Sequence, residues 1–88
     1  MNSVVQHMEE KLAALSPQSL DIVDESALHA GHEGAKSGGG HYRLTIVSKA
    51  FAGQTVLARH RMVYLALSGL MHKEIHALSI SAYTPEEI

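Results

Sequence analysis

Residues 41–47, His-Tyr-Arg-Leu-Thr-Ile-Val, put Tyr42, Leu44 and Ile46 on one side of an extended chain and Arg43, Thr45 and Val47 on the other. A period of two is the mark of a strand whose side chains stand alternately on the two faces of a sheet. The run HYRLTIVSKAF is the clearest strand of the sequence, and whatever else forms must pair with it and cover its apolar face. Two weaker strand patterns are available. In SLDIVDES, Leu20 and Ile22 alternate with Asp21 and Val23, which reads as a half-buried strand. In HALSISAY, Leu78, Ile80 and Ala82 alternate with Ala77, Ser79 and Ser81. The cover comes from two helical patterns. Met1, Val5, Met8, Leu12 and Leu15 recur at helical spacing and predict an amphipathic helix near residues 3–15, stopped by Pro17. In AGQTVLARHRMVYLALSGLMHKEI a turn leads into a second helix, whose buried stripe is Val56, His60, Val63, Leu67 and Leu70, widened by Tyr64 and Met71, with Arg59, Arg61 and Ser68 elsewhere. Thr84, Pro85 and Glu87 have the form of an N-cap, a helix-starting proline and a capping-box acid, so the chain ends in barely one turn of helix. The order is α-β-β-α-β, an α+β domain over residues 1–88 with no internal repeat.

Eighty-eight residues suffice for one modest core. Cysteine is absent, which removes a disulfide framework, thiol catalysis and any thiolate metal site built by this chain alone. The formal net charge is −2 and the pI about 6.4, whereas a strong nucleic-acid binder is expected to be markedly basic. No apolar run approaches the roughly 20 residues of a membrane span, and the first residues have no signal-peptide pattern. A cytoplasmic protein is expected.

Histidine is the chemically suggestive residue type, with seven in the chain. Imidazole binds borderline metals where thiolate is lacking and titrates near neutral pH. His29, His32 and His41 lie in or beside the Gly-rich stretch ALHAGHEGAKSGGG, a long connection between the first two strands, and His76 opens the third. Glycines would let the loop histidines converge on a metal, and the same spacing suits histidines that face only solvent. His76 fits either a hydrogen-bonded residue at the border of the core or a ligand held on rigid strand, and by strand parity it shares a face with Leu78 and Ile80. The Gly-rich stretch is no phosphate loop, because Lys36 and Ser37 precede the glycines and a strand follows. Arg59, His60 and Arg61 sit at a helix start, where positive charge opposes the helix dipole. Such a placement suits contact with phosphate or an acidic partner, or else a solvated basic turn. Arg43, Lys49 and Lys73 would extend a basic patch only if the fold gathered them. No nucleophile–base–acid signature is present, and a non-enzymatic protein is expected.

Three blocks, DESALHAGHEG, HYRLTIVSKAFAGQTVLARHRMVYLAL and IHALSISAYTPEE, together resemble the BolA family across nearly the whole chain. The most specific are RHRMVY at the helix start and the HAL-x-I-x-A-x-T-P-E-E ending. The resemblance implies a fold similar to the class II KH domain, a three-stranded sheet backed by helices. It also implies a monothiol glutaredoxin of the Cys-Gly-Phe-Ser type as partner and a [2Fe–2S] cluster shared with that glutaredoxin and with glutathione, not held alone. The family's ligand near the start of the last strand falls on His76, and its loop ligand on one of His29, His32 and His41. Two imidazoles on one iron resemble a Rieske arrangement, which raises the reduction potential above that of all-thiolate clusters. Some members of this family regulate transcription, with effects on stress response and cell shape. In that alternative Arg59, His60, Arg61 and Lys73 would contact DNA. The acidic balance is a departure from it, and so is the absence of a GxxG loop between helices: Gly31–Gly34 has the letters but lies between strands. Without a partner, the chain is expected to be a monomer or a weak homodimer, and no membrane association is expected.

Overall fold

The computed structural model describes residues 3–26, 40–71 and 73–88. Helix α1 spans Ser3–Leu12 and tightens into a 3₁₀ turn over Ala13–Leu15. It ends at Ser16, whose φ of 49° is left-handed and whose N–H donates to the Ala13 carbonyl. Pro17 then keeps the chain from continuing as helix. Met8 and Leu12 of α1 are fully buried, as the apolar stripe requires.

Strands β1 (Ser19–Asp24) and β2 (Gly40–Val47) pair antiparallel, with Leu20 opposite Ile46 and Ile22 opposite Leu44. The chain then crosses over through helix α2 (Val56–Ala66) and returns as β3 (Ile75–Tyr83), parallel to β2. The sheet order is β1-β2-β3. Both helices cover one face of this sheet. Tyr42, Leu44 and Ile46 meet Met8, Leu12, Val63, Leu67 and Leu70 there, with Leu20, Ile22, Leu78 and Ile80 packed at the margin. The expected α+β order and the expected pairing of the first two strands are both present.

Three local expectations are corrected. β2 does not run through to Phe51. It stops at Val47, because the buried Ser48 hydroxyl donates to the Leu15 carbonyl at 2.6 Å and accepts from the Ala50 N–H at 3.0 Å. This opens a 3₁₀ turn over Lys49–Phe51 that swings Phe51 wholly into the core. The second correction is the buried stripe of α2. Thr55 caps the helix by accepting from the Ala58 N–H at 3.0 Å, Val56 is 67% exposed, Tyr64 is 40% exposed, and Arg59 is buried above Val63. Charge normally excludes arginine from a core face. Here a carboxylate far along the chain satisfies it.

That carboxylate belongs to Glu87, in the terminal 3₁₀ turn Pro85–Glu87. Arg59 donates to both Glu87 oxygens, at 2.6 and 2.9 Å, to the Ala82 carbonyl at 3.1 Å and, through Nε, to the Gln54 carbonyl at 3.0 Å. The Thr84 N–H also donates to Glu87, at 2.8 Å. Hydrogen bonds from Arg59, then from Thr84, hold the Glu87 carboxyl down at about 2, while the Glu87 hydrogen bond raises the Arg59 guanidinium above its usual value. The clamp ties the start of α2 to the end of β3. The third correction concerns His76, and it shapes the candidate site.

Candidate histidine site

β2 and β3 start side by side, and the ladder between them is irregular at that end. Gly40 pairs with Ile75, but His41 pairs with Ala77. One residue of β3, His76, is therefore extra, a bulge in the strand. The consequence is a flip of parity. Ile75 is fully buried in the core, and so, past the bulge, Leu78 and Ile80 pack against the same core. His76 does not share their environment, as uninterrupted alternation would require. It is exposed. Bulges re-aim single side chains in this way and are frequent beside functional sites.

The side chain that His76 meets is His41. The ring centroids lie 5.3 Å apart with the planes inclined at 45°. His41 is half-buried, and its own backbone and that of Gly40 before it are held by three hydrogen bonds. Its N–H donates to the Ser26 hydroxyl at 3.1 Å, its carbonyl accepts from the Glu25 N–H at 2.8 Å, and the preceding Gly40 N–H donates to the Glu74 carbonyl at 3.0 Å. Ser26 is itself set by its N–H donating to the Asp24 carboxylate at 2.9 Å, an Asx-type turn. Gly40 is required by close approach: a Cβ there would lie 2.7 Å from the Tyr42 ring and 2.9 Å from the Ser26 hydroxyl oxygen. Beside His41, Glu25 and Arg43 form an ion pair at 3.1 Å. A cleft on the α2 side of His76 is lined by Tyr64, Ser68, Met71 and Leu78.

The 5.3 Å separation of the two rings is that of an ordinary packed aromatic pair, and it is also the separation that two imidazoles on one ion would have. A metal–nitrogen bond near 2.1 Å puts the ion about 3.2 Å from each ring centre, and a tetrahedral angle at the ion then separates the two centres by about 5.3 Å. The pair supplies two ligands and no more: among the described residues, no group of three or more His, Cys, Asp or Glu side chains could hold a metal. Any remaining ligands would come from outside this set.

Of the histidines picked out in the sequence, the structure brings His41 and His76 together, while His29 and His32 lie outside the described residues. The basic candidates are dispersed. Arg59 commits four of its five N–H groups within the fold and is a buried structural residue, not a surface contact for phosphate. His60 is half-buried; Arg61 is exposed at the middle of α2, and Lys73 is exposed beyond that helix's C-terminal end. Ser26 and the Arg59–Glu87 pair escaped the reading of the sequence. Asp24-x-Ser26 carries a recognisable Asx-turn signal, whereas a pair 28 residues apart carries no local signal at all.

The pattern for the BolA-like protein family matches residues 12–87. The chain belongs to the BolA family. Among BolA relatives, it is 40% identical over 83 residues to the DNA-binding transcriptional regulator BolA of Escherichia coli strain K12, covering 93% of this chain and 76% of that one. It is 40% identical over 87 residues to SufE-like protein 1, chloroplastic/mitochondrial, of Arabidopsis thaliana, covering 92% of this chain and 24% of that protein's length. The solved BolA domain of SufE1 from Arabidopsis thaliana superposes with a TM-score of 0.86 at 40% identity, covering 100% of this chain and 99% of that one. BolA1 from the same plant gives a TM-score of 0.83 at 38% identity, with the same coverage. These BolA neighbours confirm the α+β fold, which has two α-helices and a three-stranded sheet among the described residues. No helix among the described residues is long and apolar enough to cross a membrane.

Proposed function

We propose that this BolA-family chain is a non-enzymatic iron–sulfur adaptor, which pairs with a monothiol glutaredoxin and contributes His41 and His76 to a glutathione-supported [2Fe–2S] cluster, for cluster trafficking or iron regulation. The observation that carries the reading is the 5.3 Å approach of the two imidazoles, produced by a β-bulge on one strand and a backbone clamp on the other. Two neutral nitrogen ligands on one iron would supply a cluster of raised reduction potential. The protein's own work is positional. The bulge turns His76 out of the core, Ser26 and Glu25 fix His41, and the exposed side of His76 leaves approach open to the thiolates this cysteine-free chain lacks. Family membership supports the same partner class.

The test is reconstitution with a monothiol glutaredoxin, iron, sulfide and glutathione, followed by visible absorption and circular dichroism. The expected result is a spectrum distinct from that of the glutaredoxin alone, lost in His76→Ala and altered in His41→Ala. If His41→Ala behaves as the parent while His76→Ala does not, the second ligand is another histidine of the 27–40 connection. A spectrum unchanged by His76→Ala refutes the assignment.

A second reading rests on the name of the E. coli relative: a DNA-binding transcriptional regulator that uses Arg61, His60 and Lys73. Phosphate contacts would make such binding fall steeply with salt, a dependence absent from cluster sharing.

A further inference from the structure

The residue that faces His41 across the sheet is Glu25. In the antiparallel register Val23 stands opposite Arg43 and Asp24 opposite Tyr42. The next step sets Glu25 opposite His41, and the Glu25 N–H donates to the His41 carbonyl at 2.8 Å. Directly opposed side chains share a face of the sheet, with Cβ atoms roughly 4.5–5.5 Å apart. Glu25 and His41 accordingly line one cleft, together with Ala77 and Ser79, and Glu25 is the one acid among the described residues of its walls. The carboxylate is anchored by Arg43, whose guanidinium lies 3.1 Å from Oε2. The two members of this ion pair are unequally covered: the Arg43 side chain is 62% exposed and that of Glu25 only 19%. A pair whose cation stands in water contributes little to stability, and a carboxylate is seldom so covered without firm partners. The ion pair alone therefore leaves the burial of Glu25 without a reason. The imidazole beside it supplies one.

We propose that Glu25 is the positioning residue of the histidine site. When His41 gives one ring nitrogen to a metal, the other nitrogen carries a proton, and the Glu25 carboxylate accepts that N–H while Arg43 holds the carboxylate in place. This rests on the reading of His41 as a ligand. A ligating imidazole donates its second N–H to a carboxylate, a carbonyl or water, and that bond fixes the ring and makes the bound nitrogen a stronger donor. The two histidines are then unequal ligands. His41 is held by its own strand and by an anchored carboxylate. His76 is exposed on the bulge, and no acid among the described residues lines the cleft beside it. Glu25 also brings a negative charge close to the metal, which lowers the reduction potential of whatever His41 binds.

The experiment uses the complex reconstituted with a monothiol glutaredoxin, iron, sulfide and glutathione, and reads the rate of cluster loss to an iron chelator and the reduction potential. Glu25→Ala should lose the cluster about 10–100-fold faster than the parent, the usual effect of removing a ligand's hydrogen-bond partner. Glu25→Gln keeps an acceptor oxygen without the charge, so it should retain the cluster better than Glu25→Ala yet show a raised potential. Arg43→Gln, which frees the carboxylate from its anchor, should have a smaller effect than Glu25→Ala. The urea midpoint of the metal-free chain should hardly move in any of these, since the ion pair is largely in solvent. His41→Cys separates action through His41 from a merely structural role: a thiolate binds iron but has no N–H to give, so in that background Glu25→Ala should no longer speed the loss. A parent that forms no shared cluster, or one that His41→Ala leaves unchanged, sinks the ligand reading and this proposal with it. If His41→Ala matters but Glu25→Ala matches the parent in both rate and potential, the proposal alone fails. It fails equally if Glu25→Ala acts undiminished beside His41→Cys.

Discussion

Gly40 holds its place through steric closeness alone. The Tyr42 ring it faces is only 6% exposed and packs in the core, so it cannot swing away from an added methyl group at 2.7 Å. The neighbouring atom is the Ser26 hydroxyl oxygen that holds His41. Gly40→Ala should therefore destabilise the fold by about 1–3 kcal/mol, the usual range for overpacking, as read from the denaturant midpoint. It should also shift the imidazole resonances of both His41 and His76. Ser26→Ala removes the same clamp without adding bulk, so it should move those resonances with a smaller loss of stability, about 0.5–1.5 kcal/mol for one hydrogen bond. If Gly40→Ala leaves the two histidines unmoved, the backbone at Gly40 is not what orients them.

At the scale of elements, the Arg59–Glu87 clamp makes the short C-terminal turn part of the fold. Its pH dependence has a definite sign. The Glu87 carboxyl sits at about 2 in the folded chain against an ordinary 4.5, so folding favours its charged form. The stabilisation is complete above about pH 4.5 and disappears as the pH falls from there toward 2. Glu87→Gln should lower the urea midpoint at pH 7, and the gap from the parent should close across that acid window. A gap of constant size from pH 7 to pH 2 would mean that the ion pair contributes nothing beyond the hydrogen bonds glutamine keeps.

The same clamp shows where the sequence is readable and where it is not. The alternation of Tyr42, Leu44 and Ile46 and the spacing of Met8 and Leu12 are local, and both elements formed as their periods require. The core face of α2 was hidden because its first buried member is an arginine whose partner lies 28 residues away. The environment of His76 was hidden because one extra residue in β3 inverts the parity that alternation assumes. The candidate site is thus half legible. The block IHAL picks out His76, while the sequence leaves His29, His32 and His41 open as its partner; only the pairing of β2 with β3 brings His41 beside His76.

At the scale of the whole molecule, electrostatics sets the terms for any nucleic acid. The formal charge is −2 with the seven histidines neutral, and the pI is about 6.4. The chain as a whole carries net negative charge at pH 7.5, which repels phosphate, and net positive charge below its pI. Against that field the exposed cations near α2 are few, with Arg59 neutralised by Glu87, Arg61 at the middle of the helix and Lys73 beyond its C-terminal end. The isolated chain is therefore expected to leave a fluorescent duplex free at pH 7.5 and about 150 mM salt, and to bind it at low salt near pH 5.5 without sequence preference, weakening steeply as salt is added. Binding at pH 5.5 should survive Arg61→Ala with a salt slope lower by about 1, the signature of one lost phosphate contact. Sequence-selective binding at pH 7.5 that Arg61→Ala or Lys73→Ala abolishes would show a local patch overriding the global charge, and would put the DNA reading ahead of the cluster reading.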